Sequence, residues 1–177
     1  MWRPQRRGQT AFQIRTGVGI STGDCVVGNV GSTHRFDYSV LGDSVNLAAR
    51  LEGQTKDYGV GIIISDQTHA LAPEFAFLEL DRIAVKGKRE AVTIYALLGS
   101  PDLANSDAFV HLRENHERML DAYRQQRWSE ARALADACTE LDEDLSQLYD
   151  LYRDRIGRYE IEPPGEHWDG VFVALTK

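Results

Sequence analysis

Asn46 and Arg50 are the two residues of this 177-residue chain whose types and spacing best suit chemistry. They lie in the stretch GNVGSTHRFDYSVLGDSVNLAARLE, residues 28–52, where a turn (Gly42-Asp43-Ser44) is followed by a helical pattern. Residues four apart on one helix point the same way, and both sit near its positive N-terminal end. A guanidinium offers phosphoryl oxygens a planar fork, and an amide adds an orienting hydrogen bond, so the pair can grip a ribose and a phosphate. The same two residues also suit an ordinary polar helix face. Spacing alone leaves both readings open.

Other combinations carry less. Gly17-Val18-Gly19 with Gly23 invites a dinucleotide-binding loop, but position 22 is Thr and no helix follows the glycines. A hairpin with tight backbone is the expectation there. His111 and His116 are five residues apart, roughly 140° around a helix, and do not share a face. The five histidines show no ligand pattern and read as structural or solvated. Cys25 and Cys138 lack metal-ligand spacing and read as reduced thiols in a cytoplasmic protein.

The elements that must hold Asn46 and Arg50 follow from periodicity. Residues 13–20 alternate as a strand, Ser21-Thr22-Gly23-Asp24 is turn chemistry, and residues 25–30 read as the returning strand. A short strand at 36–41 leads to a helix that Asp43 is expected to N-cap, and the helix ends at Gly59. A buried strand at 61–65, a short helix at 66–71 and strands at 77–84 and 92–97 complete an α/β layer. Beyond Pro101 the period turns helical. The stripes are Phe109-Leu112-His116-Met119-Tyr123, then Ala131-Leu134-Ala135-Cys138-Leu141, then Leu145-Leu148-Tyr152-Ile156. Residues 160–165, with Pro163-Pro164, are expected to be extended, and 168–175 to form a final strand or clamp.

Charge divides the chain near Ser100-Pro101. Residues 1–100 sum to +1 and residues 101–177 to −8, within a net −7. An acidic second half would repel phosphate, which argues against nucleic acid or an anionic membrane as partner. No apolar run reaches the ~20 residues that a spanning helix needs. The division expected is therefore 1–100 and 101–177.

Four ordered pieces resemble the class III adenylate and guanylate cyclase catalytic domain in its bacterial form: IRTGVGISTG (14–23), GNVGS (28–32), RFDYSVLGDSVNLAARLE (35–52) and VKGK (85–88). The resemblance implies a ferredoxin-like α/β fold pairing head-to-tail into a dimer. It also implies conversion of a nucleoside triphosphate, ATP ahead of GTP with the choice between them left open, into a cyclic nucleotide and pyrophosphate. By position, Asn46 matches the asparagine that orients the ribose, and Arg50 the arginine that stabilises charge on the α-phosphate. Lys86 matches the lysine that reaches the β- and γ-phosphates, and Ser39 falls at the purine-reading position. Asp43 matches the helix-opening residue, not a metal ligand.

The family's two metal-binding aspartates lie upstream of the segment matching Ile14. Here thirteen residues precede Ile14 and none is acidic. The expectation is a cyclase domain incomplete at its N-terminus, without ligands of its own for Mg²⁺ or Mn²⁺, inactive alone, and exposing a sheet edge that favours association. The tail is expected to be an all-α helical hairpin. Its run RWSEARALADAC (127–138) is close to a tetratricopeptide-type unit that packs back on the first segment or on a dimer partner. The rival function is a non-catalytic regulatory or interaction protein built on a degenerate cyclase half.

Overall fold

The computed structural model describes residues 16–32, 35–84 and 91–172. Its frame is a five-stranded sheet ordered β1-β4-β6-β5-β7. The strands are β1 (Val18–Ile20), β4 (Ile62–Ser65), β5 (Ala76–Ile83), β6 (Val92–Gly99) and β7 (Val171–Phe172). β1 runs parallel to β4 and β7 parallel to β5, while β6 is antiparallel to both its neighbours. Strands β2 (Val26–Ser32) and β3 (Arg35–Leu41) form a separate two-stranded arm. The arm is followed by helix α1 (Asp43–Tyr58), which completes the crossover from β1 to β4.

The expected hairpin between residues 13–20 and 25–30 is therefore corrected. β2 pairs with β3, and β1 pairs with β4. Gly17 and Gly19 serve a different close approach. A Cβ on Gly19 would sit 2.0 Å from the Ala48 carbonyl oxygen, and one on Gly17 would sit 2.1 Å from Thr55 Oγ1. The glycines let β1 lie directly against the backbone of α1. This is a contact between distant segments, which local turn chemistry does not reveal.

The two faces of the sheet are filled differently. One face joins Leu47, Leu51 and Tyr58 of α1 to Ile63, Leu78, Ile94 and Ala96 in a core that continues, past residue 100, into the C-terminal helices. Those helices are α3 (Pro101–Ala104), α4 (Asp107–Arg124), α5 (Trp128–Leu141) and α6 (Ser146–Ile161), with a 3-10 turn at Glu143–Leu145. α5 packs on both α4 and α6, and α6 reaches α1. The three stripes fall inside as expected, except that Leu141 is exposed at the end of α5. The last helix continues to Ile161, two residues into the 160–165 segment expected to be extended. On the other face α2 (Asp66–Leu71) lays His69 flat on Tyr95, with ring centroids 4.1 Å apart, and edge-on to Phe77.

Register decides where the one buried carboxylate of β5 points. Glu79 is opposite Tyr95, but Asp81 is opposite Ile94, so Leu80 is an extra residue on its strand. Such a bulge puts successive residues on the same side. Leu80 and Asp81 are both sealed, at 0% and 1% exposure, on the helix-covered face.

Candidate active site

Helix α1 presents the chemistry because its two sides differ. Leu47, Leu51, Thr55 and Tyr58 are buried, which turns Asn46 and Arg50 outward to an exposed surface. The amide N–H of Asn46 donates to the Gly42 carbonyl at 3.1 Å, so Asn46 stands at the first closed turn of the helix. Arg50 follows one turn later, exposed yet still in contact with the rest of the chain. The helix dipole's benefit to an anion is concentrated in the first turn, which Asn46 closes, and Arg50 stands one turn beyond it.

The start of α1 differs from expectation in one detail. Gly42 is the N-cap, and Asp43 is the first helical residue. A Cβ at position 42 would come within 2.8 Å of the Asp24 carbonyl and 3.2 Å of Cys25 Cα, so the close crossing of the Ser21–Cys25 loop requires glycine there. Asp43 keeps a favourable place, since a carboxylate in the first turn complements the helix dipole. Ser44 Oγ donates to the Asp24 carbonyl at 3.2 Å, tying the same loop to the helix.

Ser39 lies on β3 opposite Gly28, half-buried, three residues before Gly42. It therefore belongs to the same continuous strand–turn–helix unit as Asn46 and Arg50. Lys86 lies outside the described residues. Among the described residues no group of three or more His, Cys, Asp or Glu converges as a metal site. A cavity of about 450 Å³ lined by Thr55, Lys56, Gly59 and Asp144 sits at the opposite end of α1 from Asn46.

The sequence profile of the adenylate and guanylate cyclase catalytic domain matches residues 4–99, more than half of the chain. The chain belongs to that family. It is 43% identical over 98 residues to an adenylate cyclase of Anabaena cylindrica, covering 52% of this chain and 20% of that protein. It is 34% identical over 132 residues to the terminal-differentiation-specific adenylate cyclase of Dictyostelium discoideum, covering 72% of this chain and 6% of the relative. Among solved structures, the adenylyl cyclase CyaB from P. aeruginosa is 39% identical, with a TM-score of 0.41 over 46% of this chain and 41% of that one. The chain thus spans a fifth or less of these two curated relatives.

Sequence reasoning passed over the charged group under α1. Tyr58 donates to Asp81 Oδ2 at 2.7 Å, and Arg155 Nη1 donates to the same oxygen at 2.6 Å. Arg155 and Asp81 side chains are each 2% exposed. Burial, then the adjacent Asp81 carboxylate, drives the Tyr58 hydroxyl well above its usual range. Burial opposes the Arg155 charge, but Asp81 and the surrounding tyrosines outweigh it and raise its pKa. The available signal was opposite charges set inside two apolar runs, Asp81 between Leu80 and Ile83 and Arg155 beside Tyr152 and Ile156.

Proposed function

We propose that this cyclase-family chain contributes the Asn46–Arg50 half of a composite adenylate cyclase site at a dimer interface. The observation that carries it is the outward display of Asn46 and Arg50 from a helix whose opposite side is fixed by Leu47 and Leu51. In the proposed reaction the ribose 3′-hydroxyl of ATP loses its proton to solvent and its oxygen forms a bond to the α-phosphorus. The bond from that phosphorus to the bridging oxygen breaks, and pyrophosphate leaves. Asn46 orients the ribose, Arg50 stabilises negative charge that builds on the α-phosphoryl oxygens, and donors aimed at such charge act more strongly in the transition state. Ser39 meets the purine and Lys86 the β- and γ-phosphates.

ATP is favoured over GTP because the relatives in Anabaena and Dictyostelium are adenylate cyclases. The Mg²⁺ or Mn²⁺ implied by the resemblance has no fitting ligand set among the described residues, so no step is routed through it on this chain. Its carboxylates are assigned to the partner subunit. Pairing is supported by the arm: Val26, Tyr38 and Leu41 are 72%, 77% and 55% exposed, an apolar display unusual for a lone surface. Among the described residues no helix is long and apolar enough to cross a membrane, and a cytoplasmic placement is part of the proposal.

The experiment is complementation. The 177-residue chain is titrated into a fixed amount of a complete class III subunit whose own asparagine and arginine are disabled, and cyclic AMP is measured. Production should rise with this chain and be lost with Arg50→Ala. A flat response while pull-down shows association would reject the catalytic reading in favour of a non-catalytic interaction protein.

A further inference from the structure

The C-terminal helices touch α1 at its far end, and they do so with directional bonds. The last carbonyls of a helix have no partner inside it. In α1 two of these, on Lys56 and Asp57, accept from Gln147 Nε2 of α6 at 2.5 and 3.4 Å. Gly59, left-handed at φ 72°, lies so close that a Cβ there would meet the Gln147 side chain at 2.6 Å. One residue before it, Tyr58 is held by Asp81, and Arg155 Nη2 also reaches the Tyr58 hydroxyl at 3.4 Å. Phe172 of β7 closes the group, with its ring centroid 3.6 Å from the Arg155 guanidinium carbon.

Simple attachment of the tail does not call for this arrangement. α6 already buries Leu148, Tyr149, Tyr152 and Ile156 at 0% exposure. A buried ion pair stabilises no more than apolar side chains of similar volume would. What it adds is a fixed relation between its partners, here α1, β5 and α6. A helix is a stiff rod, and Arg50 lies eight residues, about 12 Å, along the axis from Tyr58. Of the buried residues of α1, Leu51 and Thr55 lie between Tyr58 and Arg50. A tilt at one end is therefore a displacement at the other.

We propose that α6 is a positioning element for the reaction: Gln147 and Arg155 hold the C-terminal end of α1 and so set where Asn46 and Arg50 stand. The proposal rests on the reading of those two residues as the ones that meet nucleotide. Gln147 and Arg155 touch no reacting atom, and they act through α1. The regulatory consequence is that whatever moves α6 would be felt at the site without contacting it.

The decisive variants are Gln147→Ala and the near-isosteric Gln147→Glu, which sets a carboxylate against the two carbonyls and leaves the buried core untouched. Amide hydrogen exchange on the 177-residue chain alone is the first readout. Both variants should speed exchange at residues 55–60 and also at 46–51. In the complementation assay, with rates normalised to the folded fraction from circular dichroism, both should lower kcat about tenfold with KM for ATP unchanged, the pattern of a lost transition-state interaction. Arg155→Lys, which keeps the charge but not the fork, should fall between wild type and Arg155→Met. Faster exchange confined to 55–60, or an unchanged kcat in a mixture that Arg50→Ala silences, would overturn the proposal. If Arg50→Ala leaves turnover intact, the nucleotide reading falls and the catalytic role of α6 falls with it. Exchange then still reports whether the clamp itself exists.

Discussion

Two guanidinium groups on opposite sides of α1 have opposite fates. Arg50 stands on the exposed side at mid-helix, while Arg155, from α6, is sealed under the helix end with 2% of its side chain accessible. A group that must meet a substrate has to keep its charge available. A group that holds elements together can be shut away, provided its charge is paired. The difference predicts that Arg50 matters to rate and little to stability, and Arg155 to stability first. Arg155→Ala strands the Asp81 carboxylate in the core. Breaking a buried pair on one side costs about 3–5 kcal/mol, so urea unfolding followed by the fluorescence of Trp128 and Trp168 should move by that much. A loss below about 1 kcal/mol would show that the pair is solvated in solution.

Arg50→Ala supplies the other half of the comparison. It should lower kcat in the complemented assembly by about 10²–10³ with little change in KM, as expected for removal of one donor to developing charge. Its urea midpoint should stay within about 1 kcal/mol of wild type. A large stability loss with an unchanged rate would reverse the assignment of the two arginines.

How much of this could be read in advance depended on range. The span of α1 and its outward pair were legible because i, i+4 spacing and Gly59 are local signals. The ribose and phosphate roles of Asn46 and Arg50 gained their detail from resemblance, as did those of Ser39 and Lys86 entirely. Gly17 and Gly19 look like hairpin glycines in the sequence, since their true demand comes from Thr55 and Ala48, 38 and 29 residues away. The Asp81–Arg155 pair was missed because strict alternation puts Asp81 on the face opposite Leu80. Only the bulge at Leu80 turns it inward.

His116 extends the comparison to a buried group that is kept neutral. It is 0% exposed on α4. The Glu79 carbonyl, 2.7 Å from Nε2, can only accept, so Nε2 carries the proton and Nδ1 accepts from the Tyr149 hydroxyl at 3.2 Å. Burial, partly opposed by Glu79, lowers its pKa to about 4. Between the unfolded value near 6.5 and that folded value, the unfolded chain takes up a proton that the folded chain does not. The contribution is intact above about pH 6.5 and is lost as pH falls toward 4, by up to about 3 kcal/mol. Urea titrations at pH 7 and pH 4.5 should show a larger acid loss for wild type than for His116→Gln. Equal losses would mean that acid sensitivity comes from the carboxylates instead.

A third guanidinium gives the smallest effect and calibrates the first two. Arg132 of α5 pairs with Glu160 of α6 at 2.8 Å, a distance close to that of the Arg155–Asp81 bond, yet the two side chains are 39% and 43% exposed. Geometry alone would rank the two bonds together. Solvent separates them: at the surface water competes for both charges, salt screens their attraction, and two long side chains lose freedom to make one contact. Arg132→Ala should therefore cost no more than about 0.5 kcal/mol, and that little should vanish in 1 M salt. The effect of Arg155→Ala should persist there, because buried pairs are screened much less. The measurement is the pair of urea midpoints at low and high salt for each variant. If Arg132→Ala matched Arg155→Ala in size and both faded with salt, burial would not be what distinguishes the ion pair beneath α1, and the case for α6 as a rigid hold on that helix would lose its physical basis.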